Sequence, residues 1–275
     1  GVFQEFTING DLFINGEYLN DRKNGDWAYY YMNSKMDMEG GFNEDQQHGY
    51  WKYYYPKGQL YYEGNFVNGQ KDGDWKFYYN NGNIWRKGVF SNDQKNGLWT
   101  TLYENQEKSI EGNFKNNLED GLWKSWYENK QLKDEGFFNE GKMNAHWDGY
   151  YANGQIKYSG DYDNDYKTGK WTYWSSEGKI IEIRNYKIMS NKSALIPNEN
   201  RIVKKSVNHG EWIKYSEYDE SVKSIENYND GKLNGKSKYY YPGGVIISRE
   251  VSYQEGLLNG TYKSYNRKGN IISEI

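Results

Sequence analysis

The chain has 275 residues, a net charge of −3 and no cysteine, which excludes a basic field aimed at nucleic acid or anionic membrane, disulfides and thiolate metal sites. Hydrophobic residues make up 36% but aromatics 19%, with 30 Tyr and 11 Trp; rings, rather than Leu, Ile and Val, must supply the buried surface. No apolar run approaches the ~18 residues of a membrane helix.

The chain opens on GVFQEF, without Met and already in repeat phase. Unit starts follow at Gly25, Gly49, Gly73, Gly97 and Gly121, then Ala145 and Gly169, each a step of 24. Gly210 comes after a step of 41, which is 17 residues more, and Gly235 and Gly260 follow at steps of 25, making eleven units. A period of this length signals a solenoid or array rather than a single-core domain.

Each unit carries two turn signals, for example Asn81-Gly82 and Asn92-Asp93. Both suit two-residue type I′ hairpin turns. The segments between are strand-length and aromatic, and no long stretch keeps a helical period. The expected fold is therefore all-β: an elongated single-layer antiparallel β-meander solenoid of tandem 24-residue hairpins, forming one continuous array over residues 1–275.

Folding one unit on its turns pairs Tyr79 with Ile84, Trp75 with Gly88 and Gly73 with Phe90. The second turn then sets Gly88 opposite Gly97. Side chains alternate across a strand, so Trp75, Phe77, Gly88 and Phe90 share one face, where glycine leaves room for the Trp ring. The other face is polar, with Lys52, Lys76 and Lys124 set against Glu39, Glu63, Glu111 and Glu135. It still bears one ring per unit, including Tyr54, Tyr78, Trp126, Tyr150 and Trp174, with Leu102 the exception. A single sheet cannot bury both faces, so this column is expected to be partly wet.

An insertion lies within residues 187–208. From Arg184 to Lys214 there are seven basic residues against two acidic ones. Ile180 to Ile188 and Ile202 to Val207 read as a hairpin extended beyond the sheet edge, with Met189 to Asn200 as its tip. The basic residues Lys187, Lys192, Arg201, Lys204 and Lys205 make it a candidate partner-contacting finger.

Catalytic and cofactor signatures are missing. His48, His146 and His209 have no zinc spacing, no Gly-x-Ser-x-Gly occurs, and no GK[ST] follows the glycines. The carboxylates sit on repeated positions suited to pairing with cross-strand lysines. The reading is non-enzymatic, with no cofactor and no metal.

The core EG-x-F-x-NG-x-x-x-G-x-W-x-x-YY, spanning Glu63 to Tyr79, resembles the MORN repeat in its bacterial variant, and the match runs over nearly the whole chain. The resemblance implies a twisted antiparallel sheet with a groove that binds protein or lipid. Bacterial proteins of this type resemble antitoxin or immunity partners of toxins. The first expectation is thus a scaffold that binds a protein, a cognate toxin, through Tyr54, Tyr78, Trp126, Tyr150, Trp174 and the basic finger. The alternatives are a secreted or surface glycan-binding array and a phospholipid-binding protein, the latter opposed by the acidic balance. The expected compartment is the cytoplasm, or the periplasm or cell surface if an export signal preceded Gly1. Past Gly169 the pattern departs: Arg184 stands for the second-strand glycine and Ser237 for a tryptophan.

Overall fold

In the computed structural model, which describes residues 1–192 and 202–275, the described residues form 24 strands and no helix. Two compact units divide the chain, residues 1–130 and 131–275. Within each, the strands pair antiparallel, mostly with their neighbours in sequence, as an open single-layer meander. The first unit runs from β1 (Val2–Phe6) to β11 (Leu118–Trp126) and the second from β12 (Leu132–Asn139) to β24 (Ile271–Glu274).

The unit is seen best in β6 (Leu60–Val67), β7 (Gln70–Tyr78), β8 (Ile84–Ser91) and β9 (Gln94–Leu102). Trp75 pairs with Gly88 and Gly73 with Phe90, as expected. Asn92 and Asp93 both have positive φ, 48° and 63°, and lie between the paired Ser91 and Gln94; this is the two-residue type I′ turn.

Three expectations are corrected. At the first turn only Gly82 is left-handed (φ 87°); Gly82 N–H donates to Tyr79 O and Tyr79 N–H to Asn83 O. The loop therefore has three residues, a type I turn closed by a left-handed glycine. The longer loop moves the register, so Ile84 faces Tyr78 rather than Tyr79. Finally, Gly88 does not face Gly97. The equivalent pairs Gly64–Trp75 and Asn65–Asp72 leave Gly73 and Asp74 without partners on β6. This bulge needs the left-handed backbone of Gly73 (φ 75°), which explains the repeat-start glycine better than clearance for a ring does.

Clearance is the task of the second-strand glycine. A Cβ on Gly64 would lie 2.2 Å from Cδ2 of Trp75, so the indole lies flat on that backbone. The same holds for Trp51 on Gly40 and Trp99 on Gly88, and in the second unit for Trp147 on Gly136 and Trp171 on Gly160. Phe66 and Phe90 meet Trp75 edge-on, with ring centroids at 5.1 and 5.8 Å. Trp51, Phe66, Trp75, Phe90, Trp99 and Phe114 form the core of the first unit.

The bulge also frees a carbonyl, and the indole uses it. Trp51, Trp75, Trp99 and Trp123 donate Nε1–H to the backbone O of Gly41, Asn65, Val89 and Asn113, at 2.9–3.1 Å. Above the ring lies a cation: Lys71 Nζ is 4.7 Å from the Trp75 centroid and Lys95 Nζ 5.2 Å from that of Trp99. Burial lowers the pKa of Lys71. Backbone below and a lysine stem above leave Trp75 at 0% exposure although no second layer exists.

Units are tied at the other strand end. Tyr55, Tyr79 and Tyr103 donate their hydroxyls to the carbonyls of Tyr78, Leu102 and Trp126, one unit further on, at 2.7–3.0 Å. These carbonyls follow register shifts such as that between Phe77 and Tyr78. The tyrosine satisfies a group that the sheet leaves free.

The insertion forms a longer strand pair than expected. β16 (Ile180–Lys192) pairs with β17 (Ile202–Asn208) from Tyr186–Asn208 to Lys192–Ile202, so Met189 to Lys192, expected in the tip, are strand. Beyond Tyr186 the pairing with β15 (Tyr166–Trp174) ends, and the arm continues on β17 alone. The rest of the expected tip, and Arg201, lie outside the described residues.

Trp75→Ala is expected to cost ~3–5 kcal/mol, as loss of a large buried ring does. Gly64→Ala should also destabilise, because the added methyl displaces that ring. Urea unfolding measures both. Hydrogen exchange should rise first in residues 60–78, since repeats touch mainly their neighbours.

Candidate functional site

The expected ring column lies on the face opposite the core tryptophans. On it Tyr54 and Tyr78 are half-buried. Their hydroxyls donate to Glu39 Oε1 (2.7 Å) and Glu63 Oε1 (2.6 Å). Desolvation, reinforced by those carboxylates, raises both phenol pKa values, so both remain protonated donors. Trp126 is half-buried, with Lys108 Nζ 5.6 Å from its ring. In the second unit Tyr150 donates to Glu135 (3.2 Å) and Trp174 is half-buried. Desolvation, then Asp148 and Glu135, push the Tyr150 phenol up to about 12. The ring column exists, but the hydroxyls of its three tyrosines are committed within the sheet.

Sequence reasoning missed a second column. The residue before each core Trp points away from the indole, and in the first unit several such positions are apolar. Tyr50 is 52% exposed, Leu98 52% and Leu122 41%, with Val89 beside them at 36%. The signal is present in the sequence, in the alternation around Trp51, Trp99 and Trp123. Tyr50 borders two clefts, of 370 and 530 Å³. Desolvation and Glu63 push its phenol up to about 12.

The basic arm does not gather its charges on one side. Lys187 bonds Asp230 at 3.1 Å. Lys204 and Lys205 are exposed, and as successive strand residues they point to opposite faces. Lys192 ends β16, and Arg201 lies outside the described residues.

One histidine cluster resembles catalytic chemistry. His146 Nδ1 lies 2.8 Å from Asp161 Oδ1, and Nε2 lies 3.0 Å from Ser159 Oγ and 3.2 Å from Asp148 Oδ1. The hydrogen bond to Asp161 is the largest cause of a raised His146 pKa. Both ring nitrogens face carboxylates, which favours the imidazolium, the form with no lone pair to take the serine's proton. The cluster is a cross-strand polar clasp. Among the described residues no group of His, Cys, Asp and Glu is placed to hold a metal ion.

His146 should titrate above its ordinary value, and Asp161→Asn should lower it, as followed by NMR of the imidazole protons against pH. A histidine whose folded pKa is raised adds stability that is fully present below its unfolded pKa and lost as pH rises through the folded one. His146→Gln should therefore lower the urea midpoint more in mild acid than in alkali.

No curated protein matches the sequence. Among solved structures, the chain is similar to "Crystal Structure of TcdB2-TccC3-TEV", 10% identical over 98% of this chain and 16% of that chain, with a TM-score of 0.18. It is similar to "Crystal Structure of TcdB2-TccC3-Cdc42" at 10% identity, over 98% and 15%, also with a TM-score of 0.18. Such scores are too low for a shared overall fold, and the chain spans only that small part of each. The MORN repeat variant matches residues 47–68, 71–92, 119–140, 146–164, 167–187 and 233–255. These segments keep the phase of the hairpins described above, in both units, and the chain belongs to the MORN repeat proteins in their variant form.

Proposed function

We propose that this chain is a non-enzymatic protein-binding scaffold and, more finely, an immunity or antitoxin protein that masks a bacterial toxin by direct contact in the cytoplasm. The repeat family suggests a binding scaffold. The observation that carries the reading is the exposed apolar column Tyr50, Val89, Leu98 and Leu122, on the face away from the tryptophans. An exposed apolar column on an otherwise charged face suits a partner surface. Tyr54, Tyr78 and Trp126 in the first unit, and Tyr150 and Trp174 in the second, add aromatic contact area of the kind that interface anchors use. Lys187, Lys192, Lys204 and Lys205 on the arm, with Arg201 outside the described residues, would mainly speed encounter with an acidic partner.

The test is capture of a partner from the source cells by the wild-type chain, then titration against Leu98→Asp, Leu122→Asp and Tyr78→Ala. Loss of roughly tenfold or more in affinity is expected for the Leu98 and Leu122 changes. A partner bound equally by all three variants would remove this face from the reading. The immunity role requires that the captured protein arrest growth when expressed alone and not when expressed with this chain. A harmless partner would leave the scaffold and remove the immunity role.

A further inference from the structure

The face away from the tryptophans carries a charge row that crosses the strands. Glu39 on β4 (Met36–Asn43) pairs with Lys52 on β5 (Gln46–Tyr54). Lys52 then pairs with Glu63, and Glu63 with Lys76. Acid and base alternate, as cross-strand neighbours should. The next step breaks the order, because Lys76 on β7 faces Lys87 on β8. Lys87 then faces Thr100, whose hydroxyl donates to Glu111 at 3.0 Å. Like charges directly opposite, with Cβ atoms about 4.5–5.5 Å apart, are destabilising.

No ion pair among the described residues offsets this. Both lysines are exposed. Glu63, the nearest acid in the row, accepts the Tyr78 hydroxyl at 2.6 Å. The two lysines line the 530 Å³ cleft together with Tyr50, Val89 and Leu98. Two adjacent cations beside an apolar wall match an acidic side chain that is followed by an apolar one. Asp74 also lines the cleft, and the whole chain carries −3. Both disfavour a densely anionic surface such as a membrane, but not a single carboxylate.

We propose that the Lys76–Lys87 cleft is the point where a partner protein inserts an acidic side chain, Asp or Glu, with its apolar neighbour against Tyr50, Val89 and Leu98. This rests on the protein-binding reading above and names the chemistry of the contact. Lys87→Glu restores the alternation of acid and base along the row, placing a carboxylate opposite Lys76, so it removes the site while improving the sheet.

The experiment uses the full chain and a synthetic Glu-Phe-Glu-Leu peptide, with its Gln-Phe-Gln-Leu counterpart as control. The wild type should bind the acidic peptide, more weakly as salt rises, and carbodiimide should cross-link it to Lys76 or Lys87. Lys87→Glu should abolish binding and raise the urea midpoint. Lys76→Gln with Lys87→Gln should weaken binding roughly fivefold without lowering stability. Equal binding of both peptides, or unchanged affinity in the lysine variants, would overturn the proposal. So would phosphatidylserine vesicles that bind through these lysines while the acidic peptide does not. If the captured protein partner binds Lys87→Glu as tightly as wild type, this cleft fails and the scaffold reading stands. If no protein is captured, it is the scaffold reading that fails.

Discussion

The sheet depends on one contact, an indole lying flat on the glycine of the preceding strand. A single layer gives an apolar ring nothing to pack under, so the ring must find both walls within its own sheet. Glycine supplies the lower wall by having no Cβ, as the 2.2 Å approach at Gly64 requires. The flanking Phe66 and Phe90 edges close the sides, and the Lys71 stem closes the top. The indole N–H would be costly to bury alone, but the bulge at Gly73 and Asp74 leaves the Asn65 carbonyl to accept it. Bulge, glycine, tryptophan and lysine are therefore one device.

This device makes the two faces unlike. Rings, glycines and lysine stems are consumed on the core side. The opposite side keeps a row of charges, phenols that point into carboxylates and a few bare apolar residues. Tyr54 and Tyr78 show how a ring can be partly wet and still be structural, because each holds a glutamate on an earlier strand. Leu98 and Leu122 have no polar group to commit within the sheet, which makes them better marks of a contact surface than the ring column.

The later repeats show what happens when the device is altered. Arg184 replaces the glycine and lies 4.9 Å from the Trp212 centroid, so a guanidinium stacks where backbone once lay. Trp212 still donates to the carbonyl of Asn185. At the next position the tryptophan is replaced by Ser237, fully buried and paired with Val251, also buried. There two small side chains close on each other where ring and glycine are both gone. Such exchange is tolerated because each repeat answers chiefly to its neighbours.

The sequence alone determined the period, the alternation of strands and turns, the Trp–Gly–Phe face, the type I′ turn at Asn92-Asp93 and the pairing of Trp75 with Gly88. All follow from local rules, since turn residues, side-chain alternation and missing Cβ atoms act over a few positions. Tertiary structure decided the rest. The three-residue first loop and the bulge at Gly73 and Asp74 shift which residues meet, and neither shift can be read from alternation. Only that register sets Lys71 over Trp75 and sends the Tyr79 hydroxyl to Leu102. Contacts between side chains on different strands depend on a register accumulated through every intervening turn and bulge, whereas the repeat pattern depends on none of them.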